Sequence, residues 1–384
     1  MAARPAFVNR AVSVVRSSKA LTSFAQFLYL KATLIGSPRS LRQNNLLFKS
    51  PPAQEGSIQN RPKVAFICDE MTWWDFADCC DNIFLHPKLW KEQLRTFQPQ
   101  YLFCESAWSG IDAFTDCWRG RIYRDRRVTF ENRDVLIRIL DFCKDQGITT
   151  VFWNKEDPAF YSHPVYDFTD TALLFDHIFT TDRNCVSCYR ESGHPSVHMM
   201  PFGVNTSLFY PQSGIQQENT AFFAGSWYGD MPERCRALEE LLDYTLSQGW
   251  ELTIYDRNSM RQAPRFRFPD RYAPHIRDAV PFCKIPDIYR QYRYGININT
   301  VVDSPTMLSR RILQLAACGV TIITNNALAL DAYKDCLHIW QPDENGPIFI
   351  EWIPEAIANH STESRFCEMM ETVRTSRERA INYV

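Results

Sequence analysis

The chain of 384 residues is 45% hydrophobic and 22% charged, with a formal net charge of −2. Its length favours two domains over one, and its composition is that of an ordinary globular protein. The near-balanced charge carries no nucleic-acid signature, and no run approaches the ~18 uninterrupted apolar residues of a membrane-spanning helix.

Residues 1–60 read as a basic extension and linker. Up to residue 58 they hold eight Lys or Arg and no acid before Glu55. Within them, Leu21–Ile35 has the pattern of an amphipathic helix. Three readings stand side by side: a solvated extension, a transit peptide (Arg- and Ser-rich, acid-poor), or a basic helix lying peripherally on an anionic membrane surface. Pro51, Pro52 and the polar run to Asn60 read as the linker into the folded body.

Residues 61–209 alternate strands with helices. Apolar runs at Val64–Cys68, Tyr101–Cys104, Thr149–Trp153, His177–Thr181 and Val197–Pro201 predict strands, and Val135–Cys143 has a helical period that ends before Gly147. That alternation predicts a doubly wound parallel sheet. Asn205–Asn219, polar and containing Pro211 and Gly214, reads as a hinge.

Residues 216–345 restart the pattern. Strands are predicted at Ala221–Ala224, Leu252–Tyr255, Gly295–Thr300 and Thr321–Thr324. Helices are predicted at Glu233–Gln248 and Asp287–Tyr294, with another opening at Ser304 and closing at Gly319. Residues 346–384 should add two helices, Ile350–Asn359 and Thr362–Ile381.

The Ser304–Gly319 stretch carries the most chemistry. Ser304 suits an N-cap and Pro305 the first helical position, where a missing N–H costs nothing. Free N–H groups there, with Thr306 at the start and Arg310 and Arg311 one to two turns on, make a place for phosphate. Gly319 tolerates the left-handed cap. A helix opening at the carboxyl end of a strand is how open α/β sheets bind nucleotides. Gly225 and Ser226, after the first strand of the second domain, allow close backbone approach, and Arg234 and Arg257 sit at strand–helix joints within phosphate reach.

In the first domain, Asp69-Glu70, Glu105-Ser106 and Glu156-Asp157 each follow a strand. Glu70 and Glu156 are the candidate general bases; their structural alternative is pairing with Lys155 or Arg133. Trp73, Trp74, Trp108 and Trp153 fall in the same loops, as faces for a sugar or lipid or as core. The acidic pairs lack acid-any-acid spacing, so no metal is expected. The thirteen cysteines read as free thiols of a reducing cytosol. Cys185 and Cys188 precede His194 and His198, but only five residues (189–193) separate the pairs where a zinc finger wants about twelve. No Walker loop or dinucleotide glycine fingerprint is present, which argues against an NTPase or a dehydrogenase.

Eight segments in register resemble the CgeB-type, spore-maturation glycosyltransferases: Val64–Thr72, Cys104–Gly110, Val151–Pro158, Phe175–Asp182, Phe222–Ser226, Pro232–Arg234, Ile254–Arg257 and Gly295–Thr324. The resemblance runs from about residue 62 to residue 340. It implies the α/β GT-B architecture, two Rossmann-like doubly wound parallel-sheet domains facing a central cleft, with the last helix crossing back onto the first domain. It implies a cytoplasmic enzyme moving sugar from a nucleotide-sugar to an acceptor such as a glycan, lipid-linked glycan or protein; with Ser304–Thr306, Arg310 and Arg311 to neutralise the leaving group, no metal or other cofactor is expected.

One departure stands out. Broad GT-B families carry two glutamates eight residues apart, and here those positions are Thr306 and Gln314. Gln314 still offers hydrogen bonds to ribose or sugar hydroxyls but drops a charge. The alternative is therefore a catalytically degenerate homologue acting as a carbohydrate- or nucleotide-binding partner protein.

Overall fold

The structure is a computed structural model that describes residues 19–32, 61–111, 116–212, 214, 217–261, 263–344 and 346–382. The linker expected over 51–60 lies outside the described residues. The amphipathic helix expected within Leu21–Ile35 is present as Lys19–Ala32. Two compact units divide the chain: residues 1–180 with 185–199, and residues 181–184 with 200–384.

The first unit is built on six parallel strands: β1 (Lys63–Ile67), β2 (Asp81–Phe84), β3 (Tyr101–Glu105), β5 (Thr149–Asn154), β7 (His177–Thr180) and β8 (Val197–Met199). A two-stranded ribbon of β4 (Arg124–Asp125) and β6 (Tyr166–Asp167) stands apart from them. The sheet order is β2-β1-β3-β5-β7-β8. Strands covered on both faces need apolar residues at consecutive positions: β1 buries four in a row, and β3 buries three before Glu105. The helix Asp134–Gln146 buries Val135, Leu136, Ile139 and Cys143 in the same core, beside β5. It ends at Gly147, whose φ of 67° is the left-handed conformation a side chain resists.

The second unit repeats the plan with β9 (Gln217–Gly225), β10 (Glu251–Asp256), β11 (Ile276–Arg277), β12 (Tyr292–Ile296) and β13 (Thr321–Thr324), all parallel. An antiparallel edge of β14 (Leu337–Trp340) and β15 (Ile348–Trp352) completes the order β11-β10-β9-β12-β13-β15-β14. The expected α/β class with two Rossmann-like parallel-sheet units is therefore the class the chain adopts.

Among the parallel strands of each sheet the order reverses once, between β1 and β3 and between β9 and β12. The crevice outside the carboxyl ends of strands at such a reversal is where open α/β sheets hold ligands.

Three expectations are corrected. The helix expected from Ser304 starts only at Arg310 and runs to Ala317. Ser304 Oγ does accept the N–H groups of Thr306 and Met307, at 3.3 and 2.9 Å, but these close an isolated turn and the chain re-extends through Ser309. The helix expected over Ile350–Asn359 is strand β15 followed by a 3-10 segment, because Phe349, Ile350 and Trp352 are buried by antiparallel pairing with β13 and β14. Tyr292–Tyr294, expected to be helical, already belongs to β12.

The Arg310–Ala317 helix packs tightly over β12 at Gly295. A Cβ there would lie 2.5 Å from Leu315 Cδ2 and 3.2 Å from Val320 Cγ1. Both neighbours are almost wholly buried and have nowhere to move. Gly295→Val should therefore overpack the site and destabilise the protein by about 1–3 kcal/mol. The check is a urea titration, in which the midpoint should fall while the slope stays constant.

Candidate functional site

Each unit gathers charged side chains at its strand-order reversal. In the second unit the chain leaves β9 at Gly225 and turns through Ser226. Arg234, from the first turn of the Pro232–Ser247 helix, donates from Nη1 to the Ser226 carbonyl at 3.1 Å and from Nε to Thr300 Oγ1 at 3.2 Å. Arg257, just past β10, donates to Ser226 Oγ at 3.3 Å and to the Tyr228 hydroxyl at 2.7 Å. Arg311 reaches the same turn from the Arg310–Ala317 helix. Its Nη2 lies 2.9 Å from where a Cβ on Gly225 would be.

Gly225 has no positive φ. It is glycine because a guanidinium and the Phe223 ring occupy the space a side chain would take. Phe223 lies under Arg311 at 5.0 Å and Tyr228 under Arg234 at 4.9 Å, so flat aromatic faces stage both cations.

The electrostatics follow from crowding. Burial, then the neighbouring Arg311, bring the Arg234 guanidinium down to about 10. Burial also lowers Arg311, with Arg257 adding to it against the opposing pull of Tyr289. Burial pushes the Tyr228 phenol up, yet Arg257 and a hydrogen bond with Ser226 outweigh it and hold the phenol below its ordinary value. Among the described residues, neither Arg234 nor Arg311 is ion-paired with a carboxylate. Arg234 is buried, Arg311 half-buried and Arg257 exposed, so the grouping of cations opens to solvent on one side and is a fit for a polyanion.

The other residues expected at this site lie differently. Arg310 turns its guanidinium over the Phe202 ring at 4.7 Å, away from the Arg311 grouping. Ser304 donates its hydroxyl to Asp182, and Thr306 Oγ1 donates to the Thr181 carbonyl while accepting the Arg183 N–H. Both hydroxyls therefore hold the loop to the 181–183 segment. Gln314 is 4% exposed, and its Nε2 has no hydrogen-bond partner. Beside β12, Asn297, Asn299, Thr324 and Asn325 form a side-chain ladder that fixes the strand ends. The sequence reading did not single out this ladder; its signal was the Asn-any-Asn repeat after an apolar strand.

In the first unit, the loop after β3 points the N–H groups of Trp108, Ser109 and Gly110 at the Asp69 carboxylate, 2.8 to 2.9 Å away. Lys155 Nζ lies 3.0 Å from Asp69, 3.3 Å from Glu105 and 3.9 Å from Glu156. Glu105 is fully buried and accepts the Thr72 hydroxyl and the Asp69 N–H. Burial alone would raise Asp69, but Lys155 and the three N–H groups outweigh it and hold the carboxyl below its ordinary 3.8. Glu156 goes the other way. Burial raises it, and neither Lys155 nor the bond from the Trp108 side chain reverses that.

Of the two candidate bases, Glu156 belongs to this cluster. Glu70 instead opens the Glu70–Phe76 helix, whose first turn suits a carboxylate. Arg133 pairs with Glu131 and Asp170, so of the two cations considered for the acids only Lys155 enters the cluster. Trp73 and Trp153 are core residues. Trp108 is half-buried and packs among Tyr123, Phe160, Tyr166 and Phe168. His194 and His198 bond to the Phe175 carbonyl and to Ser196, and among the described residues no three metal-binding side chains converge.

The sequence matches no family model and no curated protein. The CgeB-type resemblance therefore rests on its motifs. Among solved structures, the chain is similar to an alpha-glucosyltransferase solved with UDP and a 13-mer DNA containing a central A:G mismatch. Identity there is 11% and the TM-score 0.44, over 84% of this chain and 92% of that one. It is also similar to a glycosyltransferase from Rickettsia africae ESF-5, at 10% identity and a TM-score of 0.41 over 83% and 98% of the two chains. A further likeness is to the pneumococcal O-GlcNAc transferase GtfA in complex with UDP and GlcNAc, at 9% identity and 0.37 over 76% and 55%.

Lys155 is the counter-charge on which Asp69 and Glu105 both depend. Lys155→Met should destabilise the protein by about 3–5 kcal/mol at neutral pH, because it strands buried carboxylates. Asp69, depressed in the folded state, contributes stability above its ordinary 3.8 and loses it as pH falls. The difference between variant and wild type should accordingly narrow toward pH 3.8 and below, read as melting temperature against pH.

Proposed function

We propose that this chain is a glycosyltransferase that takes its sugar from a nucleotide-sugar and passes it to an acceptor hydroxyl. The observation that carries the reading is the convergence of Arg234, Arg257 and Arg311 on the Gly225–Ser226 turn at a strand-order reversal. Sugar transfer from a nucleotide leaves a diphosphate, and the charge that develops on it must be neutralised as the bond breaks. Three guanidinium groups do that without a metal, which is the mechanism we favour. Gln314, with its unpartnered amide N–H, is assigned to a donor hydroxyl, and Ser304, Thr306 and Arg310 to shaping the loop beside it.

Glu156 is assigned the acceptor's proton. Its carboxyl is shifted up toward working pH, which is where a general base is most effective. In such a transfer the acceptor oxygen bonds to the anomeric carbon as the carbon–oxygen bond to the diphosphate breaks, and the acceptor's proton must pass to a base. The acceptor itself is a hydroxyl compound of unspecified class.

Two measurements test the reading. In thermal unfolding against UDP-, GDP-, CMP- and dTDP-sugars, one nucleotide family should raise the melting temperature. At ~100 times the dissociation constant that is worth ~2.7 kcal/mol. The rise should be the same with magnesium or with chelator, lost in Arg234→Ala and Arg311→Ala, and kept in Arg310→Ala. No rise with any family would move the assignment to a degenerate homologue.

Glu156→Gln should keep that rise while turnover falls by about 10²–10⁴. Because burial raises the Glu156 carboxyl, its protonated form favours folding, and that contribution is lost as pH climbs above 4.5. The variant should therefore melt like wild type below pH 4.5 and higher than wild type at neutral pH.

A further inference from the structure

We propose that the Lys19–Ala32 helix docks the protein on an anionic lipid surface. The helix is fastened to the first unit by one face. The Ser23 hydroxyl accepts the Thr129 N–H at 3.0 Å, and the Leu30 carbonyl accepts Arg121 Nη2 at 2.6 Å. The Phe27 ring meets Phe130 edge-on at 5.9 Å. Arg121 is only 1% exposed, so the helix is tied to a buried cation of the body and is one of its structural elements.

The opposite face is apolar and open. Phe24 is 61% exposed, Leu28 49% and Leu21 43%, at the i, i+3, i+7 spacing of one helical stripe. The helix carries Lys19 and Lys31 near its two ends and no carboxylate along its length. Counting those two lysines, residues 1–58 hold eight Lys or Arg and a single acid, Glu55.

An apolar stripe on a helix whose only charged residues are lysines complements a bilayer whose headgroups are anionic. A second copy of the same face would meet it cation against cation, which disfavours self-association. At 14 residues the helix spans roughly 21 Å, too short to cross the ~30 Å hydrocarbon core, so it lies in the plane of the interface.

The test is sedimentation of the full chain with vesicles of phosphatidylcholine alone or mixed with phosphatidylserine. The protein should bind the mixed vesicles and leave the neutral ones, and binding should weaken between ~0.1 M and ~0.5 M salt. The double variant F24D/L28D should lose roughly tenfold or more in partitioning. Its melting temperature should be unchanged, since both side chains face away from the body. Three outcomes would overturn the proposal: no binding to either vesicle, equal binding unaffected by the double variant, or a concentration-dependent dimer that the double variant abolishes in the absence of lipid binding.

Discussion

Like-charge repulsion at the Gly225–Ser226 turn is the constraint around which the second unit is arranged. Three guanidinium groups share one loop, and the depression of Arg234 to about 10 records what its burial and the neighbouring Arg311 cost it. Each is held in place by polar or aromatic neighbours. Arg234 is pinned by a carbonyl and a threonine hydroxyl, Arg257 by a serine and a tyrosine, and Arg311 lies over Phe223 beside a residue with no side chain. A polyanion would relieve that repulsion, so affinity for one and the mutual repulsion of the cations are two sides of one balance.

The first unit solves the reverse problem. Asp69, Glu105 and Glu156 crowd one end of the sheet, and Lys155 with three backbone N–H groups compensates them unequally. Asp69 receives most of that support and titrates low, while Glu156 receives less and titrates high. Two carboxyls in one cluster thereby acquire different chemistry from their surroundings alone.

The parallel strands were legible because each is an apolar run bounded by turn residues, and β1, β3, β5, β9 and β13 fall where such runs occur. The short edge strands β2, β11 and β14 carry mixed sequences, and only their neighbours make them strands. Ser304-Pro305 has the residues of a helix start, and the Ser304 hydroxyl does accept two N–H groups, but it also donates to Asp182, more than a hundred residues earlier, and the chain re-extends through Ser309 before the helix begins. The arginine grouping was legible in part: Arg234, Arg257 and Arg311 all stand at strand–helix joints. Nothing in the local sequence separates Arg311 from Arg310; helical phase alone sends one to Gly225 and the other to Phe202. Lys155 was harder to see, since its partners lie on two other strands.

The order of strands in the second sheet also has a consequence for how this chain reaches its native state. β9 is central, yet one of its two neighbours, β12, leaves the ribosome only after β10, β11 and the helices between them. Until then one edge of β9, with Phe222 and Phe223 at its heart, has no partner. Pairing between strands so distant in sequence is slow, and an apolar strand waiting for its neighbour is open to pairing with other chains. Synthesis rate, temperature and chaperone supply should therefore govern the yield of soluble protein more strongly than the stability of the finished fold does.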